Sequence, residues 1–152
     1  MKKCCSLLFF MFCLASITFS QTNNQEERNP NAPENTVKIP GTEIYVNRYD
    51  ERSTMQHRVA VSLCACKGKG WRLPTIGELQ LIYNNKDLFE NFKKGWYWSL
   101  DHTESYHYGE SSPDYAVGYR FFNLNFKNGR INDEEEDETN NVRCIWSPIT
   151  PE

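Results

Sequence analysis

The cysteines constrain this fold most, once the N-terminus has been read. Lys2 and Lys3 precede an apolar stretch from Leu7 to Phe19, and the small residues Thr18 and Ser20 stand before Gln21. This is the pattern of a secretory signal peptide over residues 1–20, cleaved before Gln21. The apolar run is too short to cross a bilayer and leads into polar chain, so no membrane span is expected after cleavage. Cys4, Cys5 and Cys13 leave with the leader, while Cys64, Cys66 and Cys144 remain. In an oxidising compartment, periplasm or cell exterior, three thiols predict one disulfide and one leftover thiol. A Cys64–Cys66 bridge would close almost no chain. A bridge from Cys64 or Cys66 to Cys144 closes a loop of about 80 residues and contributes about 2–4 kcal/mol. Whatever the fold, the chain near residue 65 is expected to meet the chain near residue 144.

Losing two lysines and no acid takes the net charge from −3 to −5. With no basic stripe, a nucleic-acid partner is not expected. Gln21 to Pro40 is polar, holds three prolines and offers only Ala32, Val37 and Ile39 as apolar residues. Such a segment buries too little to offset its ordering entropy, so residues 21–42 are expected to form a disordered linker. The globular part is placed at 43–147, with 148–152 a tail. Glu43-Ile44-Tyr45-Val46 alternates like a strand with Ile44 and Val46 on one face. Ser53 or Thr54 can cap a helix running through Met55, Val59, Ala60, Leu63 and Cys64, ended by Gly68 and Gly70. Thr75-Ile76-Gly77-Glu78 is a capping box, and the helix after it presents Ile76, Leu79, Ile82 and Tyr83 to a core until Asn84-Asn85. Strand-like patterns follow at Trp96–Ser99, Ala116–Phe126 and Asn141–Trp146, and Asn128-Gly129 reads as a hairpin turn. Two helices ahead of several antiparallel strands describe an α+β domain.

The order of short motifs resembles a known family. Gly70-Trp71-Arg72-Leu73-Pro74-Thr75 followed by Glu78-Leu79 is similar to the signature of the DUF1566, or Lcl C-terminal, domain, which is close to the Fibrobacter succinogenes major paralogous domain. Tyr97-Trp98-Ser99, Ala116 to Phe122 with Gly129 after it, and Val142-Arg143-Cys144 continue the match over residues 43–147. The resemblance implies a C-type-lectin-like fold, with two helices followed by a small antiparallel sheet with long loops, on a secreted or surface protein of bacteria. It also implies a disulfide from the first helix to the last strand, with the choice between Cys64 and Cys66 open. Structural roles are expected for Trp71, Arg72, Leu73, Pro74, Thr75, Glu78, Trp98 and Arg143. Trp71 and Leu73 would fill the core, Pro74 would shape the start of the helix, and Arg72 would pair with a carboxylate or with backbone carbonyls.

No catalytic residue is called, and no cofactor is required. The Glu-Pro-Asn, Gln-Pro-Asp and Trp-Asn-Asp triplets that hold Ca²⁺ and sugar in true C-type lectins are missing from the domain. The acidic run Asp133 to Glu138 offers hard oxygen ligands, with Asp133, Glu135 and Asp137 as weak Ca²⁺ candidates. Adjacent acids more often mark a solvated loop. Asp101, His102, Glu104 and His107 could build a zinc or acid–base site, and so a small metal-dependent hydrolase, but their spacing matches no catalytic motif. Tyr106, His107, Tyr108, Tyr115 and Tyr119 lie around a stretch expected to be a long loop. In C-type-lectin-like domains that region is the usual ligand surface, and tyrosines concentrate at binding hot spots. The expected function is therefore a non-catalytic module that recognises a protein or glycan at the cell surface. A structural subunit of a surface assembly is the alternative.

Overall fold

A computed structural model describes residues 28–108 and 115–148, the side chains of 105–117 excepted. Residues 1–27, which include the expected signal peptide, and the end of the tail lie outside these residues. The first strands are β1 (Thr36–Lys38), β2 (Tyr45–Asn47) and β3 (Met55–Gln56), which leads directly into helix α1 (His57–Ala65). Then come β4 (Trp71–Arg72), α2 (Ile76–Asn84) and a short 3₁₀ turn at Lys86–Leu88. Two long strands, β5 (Trp96–Tyr108) and β6 (Tyr115–Asn125), precede β7 (Ile131–Glu134), β8 (Thr139–Asn140) and β9 (Ile145–Trp146). A four-stranded sheet has the order β1-β2-β9-β4, a three-stranded sheet β5-β6-β7, and β3 pairs β8. All these pairings are antiparallel.

The helices sit over two halves of one interior. Leu79 and Ile82 of α2 pack with Ile39, Val46, Tyr97, Leu124, Phe126 and Ile145. Ala60 and Cys64 of α1 pack with Leu73, Trp98, Val142 and Cys144. Each fully buried large side chain contributes about 1.5–3 kcal/mol over leaving it in water. Within the second half Cys64 is bridged to Cys144, their Cα atoms 5.5 Å apart across 80 positions of sequence. That decides the open choice, and Cys66, just past the helix, is exposed and unbridged.

The capping box forms as read. The Thr75 hydroxyl accepts from the Glu78 amide, and the Glu78 carboxylate accepts from the Thr75 amide. Gly70 is required by packing: at φ +86°, a Cβ there would lie 2.7 Å from the Trp146 indole nitrogen. Gly129 closes the β6–β7 hairpin at φ +73°, against the ring of Tyr83.

Four expectations are corrected. The linker does not extend through residue 42, because Thr36–Lys38 is β1, paired Val37 to Val46, and Ile39 is buried. Alternation around β2 turns the half-buried Ile44 and the buried Val46 to one side, but Tyr45 is also buried, covered by Ala32 and Trp146. The preceding chain is thus ordered by a second apolar face. Helix α1 starts at His57 without a side-chain cap, because Met55 and Gln56 pair with β8. The last strand is regular only at Ile145–Trp146. Before it, the Val142 and Cys144 carbonyls accept from the Glu51 and Asn47 amides instead. The expected loop after Ser99 is strand as far as Tyr108, so β5 and β6 form a long two-stranded ribbon.

Candidate functional site

The charged residues of the signature build structure. Both Nη atoms of Arg72 donate to the Glu78 carboxylate at 2.7 Å, and Arg72 Nη1 also donates to the Leu73 carbonyl. Burial opposes ionisation of Glu78, but the hydrogen bonds from Arg72 and Thr75 outweigh it and hold its pKa below the usual carboxylate value. Asp101 accepts from the first amide of α2, that of Ile76, at 2.7 Å, which places a carboxylate at the positive end of the helix. Leu73 and Pro74 are buried and Trp71 is half-buried.

Arg143 is buried to 1% exposure and donates through Nε to Asp50 at 2.6 Å. Its guanidinium lies 3.7 Å from the Phe92 ring centroid, and its two Nη atoms have no hydrogen-bond partner among the described residues. Cation–π contact offsets part of that cost. The other Asp50 oxygen accepts from the Tyr97 hydroxyl at 2.6 Å and from the Lys93 amide. Burial first, and then the Asp50 carboxylate, push the Tyr97 phenol far up.

A second cluster is centred on His57, which no sequence motif singles out. The His57 imidazole is buried and stacks on Phe121 at 3.8 Å, edge-on to Trp98. Its Nε2 donates to the Ser99 carbonyl at 2.8 Å, which fixes the tautomer. Desolvation lowers its pKa, opposed by the Ser99 carbonyl and the Glu136 charge. Phe121 meets His102 at 5.9 Å, and His102 meets Tyr119 edge-on at 5.2 Å. Four rings therefore run from the core to the surface of the ribbon. Tyr119 is 50% exposed, and with His102 and Phe121 it lines an open concavity of about 320 Å³.

Alternation along β5 settles where the His102 group points. Adjacent strand residues face opposite sides, so Asp101 turns to α2 while His102 turns to the ring ladder. They do not converge on one site. The side chain of His107 lies outside the described residues. Among the described residues no three His, Cys, Asp or Glu side chains are grouped to hold a metal ion. Of the acidic run, Asp133 and Glu135 pair with Arg120 at 3.1 and 3.6 Å, and Glu134 accepts from the Asn140 amide nitrogen. Asp137 is exposed. Of the proposed binding tyrosines, Tyr119 is placed on the ribbon face. The backbones of Tyr106, His107, Tyr108 and Tyr115 belong to β5 and β6, and their side chains lie outside the described residues.

The architecture matches solved structures along most of its length. Botrocetin superposes with a TM-score of 0.55 at 11% identity, covering 77% of this chain and 99% of its own. EMS16, described as an antagonist of the collagen receptor integrin α2β1, gives 0.56 at 13% identity, covering 76% of this chain and 99% of its own. Both are C-type-lectin-like proteins of snake venom. The fold is C-type-lectin-like. At these identities the likeness is one of fold. No protein-family profile and no curated protein matches the chain. In this C-type-lectin-like domain the helices and the disulfide fix the base, and the β5–β6 ribbon carries the aromatic concavity. No described helix is long and apolar enough to cross a membrane.

Proposed function

We propose that the chain is a secreted, non-catalytic binding module that recognises a protein or glycan through the outer face of the β5–β6 ribbon. The observation that carries this reading is Tyr119: a large ring, half-exposed and packed edge-on against His102, beside an open concavity that Phe121 also lines. A ring fixed before binding loses little entropy on contact, as hot-spot residues require. The groups with displaced titration, His57, Glu78 and Tyr97, are each engaged in packing or capping, which favours binding over catalysis. Secretion is supported by the leader pattern and by a disulfide inside the core. We further assign the chain to the Lcl C-terminal domain family. Its signature residues have evident work here, Arg72 with Glu78 at the start of α2 and Gly70 beneath Trp146.

The test is capture from native surface extract and on a glycan array, using the mature chain and its Tyr119→Ala variant. The reading expects a ligand retained by the first and lost by the second; equal retention would refute the ribbon face. A second reading, a structural subunit of a surface assembly, is favoured by one feature. β5 is an edge strand of its sheet; Asn141 and the Pro74 carbonyl take its outer edge at Trp96–Leu100, and the stretch from Asp101 to Tyr108 that follows is long enough to accept a neighbour's strand. Higher-order ladders of this chain in native extracts would favour it, and a strict monomer would oppose it.

A further inference from the structure

The ring ladder and the acidic run are two ends of one arrangement. In register, His102, Phe121 and Glu134 form a row across β5, β6 and β7, with Glu104 opposite Tyr119 in the next row. Residues paired across strands share a face, so carboxylates flank the exposed rings. The rest of the run is held close by β3–β8 pairing and by the His57 amide, which donates to the Glu136 carbonyl at 3.3 Å. Arg120 pairs with Asp133 and Glu135. It also lines one concavity with Glu134, Glu135 and Glu138, so it stands among the acids of the run. Among the described residues, Glu136, Asp137 and Glu138 have no ion pair. This side of the domain therefore combines an exposed π face with net negative charge, the six acids of Asp133 to Glu138 against Arg120.

We propose that the exposed end of this ladder docks an arginine side chain on a basic segment of a protein partner. The proposal rests on the ribbon being the binding face, and names the partner's chemistry. A guanidinium is planar and weakly hydrated, so it stacks on the Tyr119 ring while its edge donates to the flanking carboxylates. The concavity, at the small end of the range for ligand sites, suits one long side chain. The field of the acidic run steers a basic segment towards it.

The test is fluorescence anisotropy with the mature chain and four probes: a short arginine-rich peptide, a lysine peptide of equal charge, an acidic peptide and a neutral oligosaccharide. The arginine peptide is expected to bind best, and to weaken at least tenfold between about 0.05 M and about 0.5 M salt. Tyr119→Ala is expected to lose about tenfold in affinity together with the arginine-over-lysine preference, whereas Tyr119→Phe keeps both. Glu136→Gln with Glu138→Gln should weaken both basic peptides alike. Unchanged thermal midpoints check that the variants are folded. Equal binding of the arginine and lysine peptides, insensitive to Tyr119→Ala, would reduce the effect to general charge attraction and overturn the proposal. Binding of none of the peptides would overturn it as well. Oligosaccharide binding that depends on Tyr119 would overturn the arginine site while leaving the ribbon as the binding face. Loss of the ribbon itself would be seen separately, in capture that ignores Tyr119.

Discussion

Asp50 and Arg143 show what a buried ion pair does in this domain. Side-chain exposures of 4% for Asp50 and 1% for Arg143 leave both charges almost wholly out of water. Removing one partner strands the other, so Asp50→Ala is expected to cost about 3–5 kcal/mol in denaturant unfolding. Arg143→Met is expected to cost clearly less when combined with Asp50→Leu than when made alone, because the joint change removes both charges. His57 makes a second residue-scale prediction. Its pKa lies below the unfolded value of 6.5, so below that value the unfolded chain binds more protons. The stability it contributes is complete above about pH 6.5 and is lost as pH falls towards the folded pKa. Unfolding midpoints should decline from about pH 7 to about pH 5, and His57→Phe should flatten that slope. Glu78 acts further down: with its pKa held below 4.5, it adds an acid loss only beneath that value.

At the scale of elements, α2 was legible because its signals are local. Thr75 and Glu78 stand three apart, and Leu79 and Ile82 follow at helical spacing. Thr75→Ala is expected to cost about 1 kcal/mol, largely restored by Thr75→Ser, in thermal or denaturant unfolding. Elements held by distant partners were harder to read. β1 and the residue after it offer only Val37 and Ile39 as apolar residues, and the segment becomes ordered because Tyr45 and Trp146 provide a second surface for Ala32. β3 takes the place of a helical turn because β8, some 80 residues later, supplies its hydrogen bonds. Polar residues at Asp101 to Glu104 suggested a loop, yet alternation puts Asp101 on the helix and His102 on the rings. The ladder from His57 to Tyr119 joins residues from α1, β5 and β6, and no local spacing announces it.

For the whole molecule, the Cys64–Cys144 bridge closes the domain between its first helix and the residue that leads into its last strand. Cys64→Ser with Cys144→Ser is expected to cost about 2–4 kcal/mol, and Cys66→Ser to cost almost nothing. Intact mass after alkylation of residues 21–152 should show one blocked pair and one reactive thiol, Cys66. The base held by this bridge carries the two helices, and the ribbon of 96–108 and 115–125 carries the exposed rings. Hydrogen exchange on the mature chain, free and saturated with its captured ligand, tests that division most directly. The account predicts new protection along the ribbon with α2 and β1 unchanged. Protection confined to α2 and the β6–β7 turn, with the ribbon exchanging as before, would contradict it.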